Sequence, residues 1–509
     1  MGKRGYVVMK VLLVYPKYPE SFWSFHYALK FIGKKSAHPP LGLLTVASLL
    51  PDKWELKLVD LNVKTLNDED IKWADYVFLS AMAIQRNSVQ DVIKRCQNAG
   101  AKVVAGGPLF TMEPEEFDQV NHLVLDEAEV TLPEFLSDLE KGVPKHIYTR
   151  QGKPQLQNTP VPRWDLINMN DYAVMTVQYS RGCPFDCEFC DITALFGRRQ
   201  RLKPVDKMLE ELDAIYRRGW RGSVFIVDDN FIGNKSTLKK EVLPAIIGWM
   251  EEHKHPFWFT TEASINLADD EELMDMMRRA GFIHVFVGIE TPDEESLNEC
   301  NKFANMNRNL VSSVKKIQNF GMQVSGGFIV GFDSDTPSIF ERQIKFIQES
   351  GIVTAMVGLL NAPKGTKLYE RLQKEGRLLS QHFSGNNTDY SLNFIPKMNR
   401  QTLIEGYRKV VETIYDPARY YERMLEFFKE FKPARRYRPN MFRLCYLKAF
   451  FKAMFYLGII EKGRHHYWKM LIKTLAKYPH CLPDAVTFAV YGLHFRRVFG
   501  IGREVRPPT

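Results

Sequence analysis

Arg181-Gly-Cys-Pro-Phe-Asp-Cys-Glu-Phe-Cys190 gathers three of the chain's seven cysteines into one short run. Thiolates from Cys183, Cys187 and Cys190 suffice for three irons of a four-iron four-sulfur cluster and leave the fourth without a protein ligand. Electron-transfer clusters ordinarily take four thiolates, and the remaining cysteines, Cys96, Cys300, Cys445 and Cys481, are scattered. A zinc site is the competing reading. Zinc takes four nitrogen or sulfur ligands, commonly from two separated pairs, and no histidine lies within thirty residues on either side of this run. The apolar stretch Val174 to Tyr179 just before it reads as a strand, so the cysteines occupy a loop at a strand's carboxyl end, where barrel enzymes place their active sites.

Outward from the loop, residues 171–385 alternate between the two periodicities. Strands are expected near Met175 to Tyr179, Val224 to Val227, Phe257 to Thr260, Val285 to Ile289, Gln323 to Val330 and Ala355 to Leu360. Helical spacing separates them at Val205 to Arg217, Leu238 to Glu252, Glu271 to Ala280, Leu310 to Phe320 and Ile339 to Glu349. Six strand–helix units predict a partial (β/α)6 barrel, open on one side. Residues 1–145 show an earlier alternation, with strands at Val11 to Tyr15, Leu56 to Val59, Tyr76 to Ser80, Lys102 to Ala105 and His122 to Leu125. That pattern predicts an α/β domain with a doubly wound, flavodoxin-like parallel sheet, which binds ligands at its carboxyl edge. Gly106-Gly107-Pro108 sits at that edge, where glycine lets a backbone come close to a bulky ligand. Prolines 144, 154, 160 and 162 make residues 143–170 a proline-rich connection, with the linker itself at 146–170. Residues 386–509 read as a third, helical domain rich in aromatics.

Composition narrows the setting. With 509 residues, 45% hydrophobic and 25% charged, the chain is that of a globular protein of several domains. An odd number of cysteines, three of them in one loop, is no disulfide framework, and a reducing cytoplasm fits best. The N-terminus is too brief and too charged in its apolar run for a signal peptide, and no uncharged apolar run is long enough for a spanning helix. Residues 430–509 hold 16 Lys/Arg against 4 Asp/Glu, so the +9 net charge belongs to the tail. Those helices either lie on an anionic membrane surface, close over the substrate, dock an acidic protein, or present a solvated basic face. No nucleic-acid module is recognisable.

Cys183-x-x-x-Cys187-x-x-Cys190, with Phe189 before the last cysteine, resembles the radical S-adenosylmethionine (SAM) superfamily, and the preceding sheet resembles its cobalamin-binding domain. The stretches Gln178 to Ile192, Gly222 to Asn234 and Phe286 to Pro292 are similar to the subgroup that contains hopanoid 2-methylases, the glutamine C-methylase of methyl-coenzyme M reductase and tetraether-lipid ring synthases. The resemblance implies a 4Fe-4S cluster whose open iron is chelated by SAM and yields a 5'-deoxyadenosyl radical. It implies SAM contacts at Phe189, at Asp228, Asp229 and Asn230, at Glu262, at Glu290, and from Gly327 to Gly331. Carboxylates there offer acceptors to a cationic amine and two ribose hydroxyls. Family patterns carry Gly-Gly-Glu where this chain has Asp228-Asp229-Asn230, so the amine's partner stays open. Arg198, Arg199 and Arg201 either bind an anionic group or coat a helix start.

For the first domain the resemblance implies cobalamin contacted by Ser80, Gln85, Gly106, Gly107, Pro108 and Glu127 to Glu129. The Asp-x-His-x-x-Gly signature is absent, and His26, His38, His122 and His146 lie in no such context, which implies cobalt without a protein histidine. The implied activity is radical C-methylation of an unactivated carbon in a lipid such as a hopanoid, or in a protein side chain such as glutamine. An external one-electron reductant, ferredoxin or flavodoxin, would be its partner. The alternatives are a radical SAM enzyme that forms rings or C–C bonds in isoprenoid lipids, and a non-catalytic cobalamin or iron–sulfur sensor.

Overall fold

A computed structural model describes residues 9–150, 152–379, 382–433 and 444–501. Met441 to Arg443, the start of one aromatic helical run, and several of the tail's arginines lie outside the described residues. Strands β1 (Lys10–Tyr15), β2 (Glu55–Asp60), β3 (Tyr76–Ser80), β4 (Lys102–Gly106), β5 (His122–Val124) and β6 (Ile147–Tyr148) form one sheet in the order β2-β1-β3-β4-β5-β6. Every pairing in it is parallel. The order reverses between β1 and β3, which creates the crevice such sheets use for ligands. Alternation along β1 sorts its side chains: Val11 and Leu13 face a core shared with the rest of the molecule, Leu12 and Val14 a separate one under Val89–Cys96. The 146–170 stretch is more structured than its prolines suggest, because Ile147–Tyr148 adds the sixth strand and Trp164 is buried.

The second sheet runs β14-β13-β12-β11-β10-β7, all parallel, so its strands follow chain order across an open barrel. Its members are β7 (Met175–Val177), β10 (Ser223–Ile226), β11 (Trp258–Glu262), β12 (Phe282–Glu290), β13 (Gln323–Val330) and β14 (Ala355–Leu359). Between β7 and β10 a two-residue antiparallel ribbon, β8 (Ser180–Arg181) with β9 (Arg201–Leu202), closes the base of the cysteine loop.

Among the described residues the C-terminal region has helices at Arg400–Tyr415, Pro417–Glu430, Leu444–Phe455, Arg464–Lys477 and Leu482–Val498, of which the first two pack on the barrel's far edge. Asn399 caps the first, and Asp416 with Pro417 starts the second. Tyr407 and Tyr415 donate to the Val357 and Ala355 carbonyls of β14, which anchors the first helix to the sheet. The last helix returns to the N-terminal segment, where Phe495 stacks on Phe22 at 4.2 Å. No helix among the described residues is long and apolar enough to cross a membrane.

Candidate functional site

The cysteine loop is fixed before any cofactor is considered. Asp228, fully buried at the end of β10, accepts from the Tyr179 amide at 2.8 Å and from the Ser180 hydroxyl. Gln200 ties the loop's far end back, donating to Ser180 Oγ and to the Asn230 carbonyl, each at 2.8 Å. Gly182 has φ +91, and a Cβ there would lie 2.8 Å from the Gly197 carbonyl. Only glycine fits where the loop crosses itself. On the opposite flank Arg371 grips Glu188 through two bonds of 2.6 and 3.0 Å.

Within this frame burial pushes all three thiols up, and Cys187 feels Cys183 just as Cys190 feels Cys187. Burial thus favours the neutral thiols, and a bound metal would displace their protons. Among the described residues no three His, Cys, Asp or Glu side chains close on a single-ion site. A cubane asks for something different, one thiolate to each of three irons, and a trio on one loop meets that demand. Asn230 donates to Cys183, and its Oδ1 accepts from the Ser264 amide at 3.2 Å.

Of the acidic residues expected to meet SAM, Asp228 spends its lone pairs on the loop's start. Asp229 accepts from the Gly182 amide at 3.3 Å, and neither it nor Glu262 has an ion-pair partner among the described residues. Burial first, then Asp228, pushes Asp229 up to about 7. Burial first, then Asp229 and Asp228, pushes Glu262 up to about 8. Two desolvated, mutually repelling carboxylates at adjacent strand ends are the setting a cation relieves. Glu290 closes β12 through a bulge at φ +63 and pairs with Lys302 at 2.7 Å. Burial works against the Lys302 charge, but Glu290 and the thiols of Cys187 and Cys190 hold it above the ordinary lysine range. Lys302 is the site residue that sequence reading missed, and no spacing rule joins it to Glu290. Phe189 is half-buried, 6.3 Å from the Phe332 ring. Gly327 packs its backbone against Phe286, and the Gly331 amide donates to Asp335 at 2.8 Å.

At the first sheet's carboxyl edge lies a cavity of about 320 Å³, lined by Ser80, Gly106, Gly107, Pro108, Glu127 and Glu129 among others. A Cβ on Gly106 would meet the Val124 carbonyl at 2.5 Å and one on Gly107 the Ser80 hydroxyl at 2.6 Å, so the wall there is bare backbone. Gln85 is not brought to this wall. It is buried, with its amide donating to the Pro16 carbonyl and its Oε1 accepting from Met82. Glu127 and Glu129 do reach the cavity, but their oxygens are engaged. Arg201 holds Glu127 through two bonds of 2.8 and 2.9 Å, and Arg181 holds Glu129 at 2.7 and 3.0 Å and Glu127 at 2.7 Å. Arg181 is two residues from Cys183, so one buried ion cluster welds the sheet's ligand edge to the cysteine loop. Arg201 thereby parts company with Arg198 and Arg199, which are exposed.

A flavodoxin-like sheet set against an open barrel whose first loop presents three thiols defines an iron–sulfur enzyme with a second cofactor domain. The radical SAM superfamily matches residues 177–347, the B12 binding domain residues 34–136, and a domain of unknown function (DUF4070) residues 366–506. An uncharacterised methyltransferase of Synechocystis sp. is 40% identical over 97% of this chain and 93% of its own length. The hopanoid C-2 methylase of Rhodopseudomonas palustris is 36% identical over 77% of this chain and 75% of its own. The methyltransferase TsrM of Kitasatospora setae, solved with cobalamin and a [4Fe-4S] cluster, shares the fold with a TM-score of 0.62 at 14% identity, covering 92% of this chain and all 100% of that one. The chain belongs to the cobalamin-dependent radical SAM methyltransferases. Its cofactors are a 4Fe-4S cluster, SAM and cobalamin. The residues present fit them: three thiols on a braced loop, two buried carboxylates beside it with no ion-pair partner among the described residues, and a bare-backbone wall for a corrinoid.

Proposed function

We propose that this enzyme methylates an unactivated carbon of a hydrophobic, isoprenoid-type lipid, with a hopanoid as the model substrate and a protein side chain such as glutamine as the competitor. When bound, SAM on the cluster supplies hydrogen abstraction and cobalamin supplies the methyl group. Asp229 and Glu262 hold the cationic cosubstrate, Glu290 and Lys302 form a fixed buried dipole beside the thiols, and Asp228 keeps the loop in register. Arg181 carries the most weight for two cofactors acting together, because the same guanidinium that leads into the cysteine loop fixes the acids on the cobalamin-side cavity.

The lipid reading is supported by the C-terminal helices. Leu447, Phe451 and Phe455, one helical turn apart, are all exposed, as are Ile459 and Ile460 beyond them, and Lys448 and Lys452 interleave with the stripe. Such a face lies in the headgroup region of an anionic bilayer. The test is anaerobic turnover with SAM and a chemical reductant, offering hopanoid-bearing anionic vesicles and candidate proteins in parallel and searching by mass for a gain of one methylene. Methylated lipid supports the reading, and methylated protein with untouched lipid refutes it. Phe451→Glu/Phe455→Glu should slow methylation of vesicle-borne lipid several-fold and leave detergent-dissolved lipid unaffected.

A further inference from the structure

On the outer side of the cysteine loop is an open cleft of about 1100 Å³. Pro184 and Phe185, between the first two cysteines, line it on one side, and Asn230, Ile232 to Lys235, Ser264 and Asn266 line it as well. Five Lys or Arg side chains line it and no Asp or Glu does. Not all are available. Arg201 is spent on Glu127 at 2.8 Å, Arg198 lies 3.3 Å from Asp186, and Lys153 is 4.0 Å from Asp126. Arg199 is exposed and has no hydrogen-bond or ion-pair partner among the described residues. Lys235 is half-buried, donates to the Asn266 carbonyl at 2.7 Å and feels the more distant Asp270 and Asp269, with no carboxylate at ion-pair distance among the described residues. The surplus positive charge therefore stands over a loop that holds a redox centre. Asn230, which lines the cleft, also bonds Cys183, so a single side chain separates the cleft from a cluster ligand.

Basic groups at an exposed rim steer an acidic partner and set its orientation. We infer that this cleft docks an acidic one-electron carrier protein of ferredoxin or flavodoxin type, with Arg199 and Lys235 as the charges that recognise it. The inference rests on the radical reading above. The step moves one electron and no atoms: the carrier is oxidised by one electron and the iron–sulfur centre is reduced by one.

The test measures association of the holoenzyme with an immobilised acidic flavodoxin at low and high salt, alongside turnover driven either by that flavodoxin or by a chemical reductant. Arg199→Glu/Lys235→Glu should weaken association roughly 10- to 100-fold, since like charges at an interface are costly, and should slow flavodoxin-driven turnover. Turnover with the chemical reductant should match the parent enzyme, and Arg199→Lys/Lys235→Arg should bind as the parent does. Unchanged association overturns the inference. So does loss of chemically driven turnover in the charge-reversed variant, because the cleft would then serve catalysis. Saturable one-to-one binding of inorganic phosphate that survives high salt would make it a small-anion site and also overturns it. A parent enzyme that binds flavodoxin and cleaves SAM but methylates nothing leaves the docking site standing and refutes the methyl-transfer reading alone.

Discussion

The two sides of the cysteine loop carry opposite charge. Inside, Asp229 and Glu262 have no ion-pair partner among the described residues and are raised by burial, both also by Asp228 and Glu262 by Asp229 as well; outside, Arg199 has no partner among the described residues and Lys235 feels only the more distant carboxylates of Asp270 and Asp269. Elsewhere the molecule pairs such groups, as Arg181 and Arg201 do with Glu127 and Glu129. The difference teaches which sign of charge each face suits. On the readings proposed above, a positively charged cosubstrate would relieve the inner face and a negatively charged partner the outer one, with the cysteine loop between them.

The largest effect should come from removing what both faces share. Cys187→Ala leaves two thiols for a cluster that needs three, and deoxyadenosine production should fall to background while iron content drops. Next is the base of the loop. Arg181→Met strips the partner from buried Glu129 and one partner from Glu127, and breaking such a network by one member costs about 3–5 kcal/mol, read as a large fall in the apo protein's thermal midpoint.

The inner face then gives a signed pH dependence. Its carboxylates bind a cation only when ionised, so SAM binding should tighten as pH rises through about 7 to about 8, with proton release in calorimetry. Stability runs the other way. The folded apo protein holds these protons more firmly than the unfolded chain, so the contribution of these two groups to stability is greatest below the ordinary carboxylate range and is lost as pH rises through about 7 to about 8. Asp229→Asn should weaken SAM roughly 10- to 100-fold at pH 8, as expected for a lost charged hydrogen bond, and should raise the apo thermal midpoint at the same pH. A variant that loses both affinity and stability there would break the contrast. The smallest effect separates the faces by salt: added salt should barely alter SAM affinity, whose charges are buried, and should progressively weaken carrier association at the exposed rim.

Much of this architecture was legible in the sequence because its elements obey local rules. Tyr76–Ser80, Val205–Arg217, Glu271–Ala280 and Gln323–Val330 fall where periodicity puts them. The helix expected from Leu238 to Glu252 begins three residues earlier, at Lys235–Thr237, and passes through a π turn, Leu238–Val242, into Leu243–Glu252, where Pro244 removes a backbone donor. What escaped is either too short for periodicity or too distant in sequence. The β8–β9 ribbon that frames the thiols has two residues a side, and β6 has two, hidden among prolines. The Arg181 network joins residues more than fifty positions apart, and Lys302 reaches Glu290 only because β12 bulges and the chain turns back. The three thiols were readable because their ligand chemistry is local. The use of Asp228 as a brace, with Asp229 and Glu262 left unpaired, depends on tertiary burial that spacing does not encode.

The account stands most directly on product balance in an anaerobic reaction of the reconstituted holoenzyme with its substrate. It requires S-adenosylhomocysteine and 5'-deoxyadenosine in equal amounts, each matched by one methylated product. Deoxyadenosine formed without S-adenosylhomocysteine and without added methyl would contradict it.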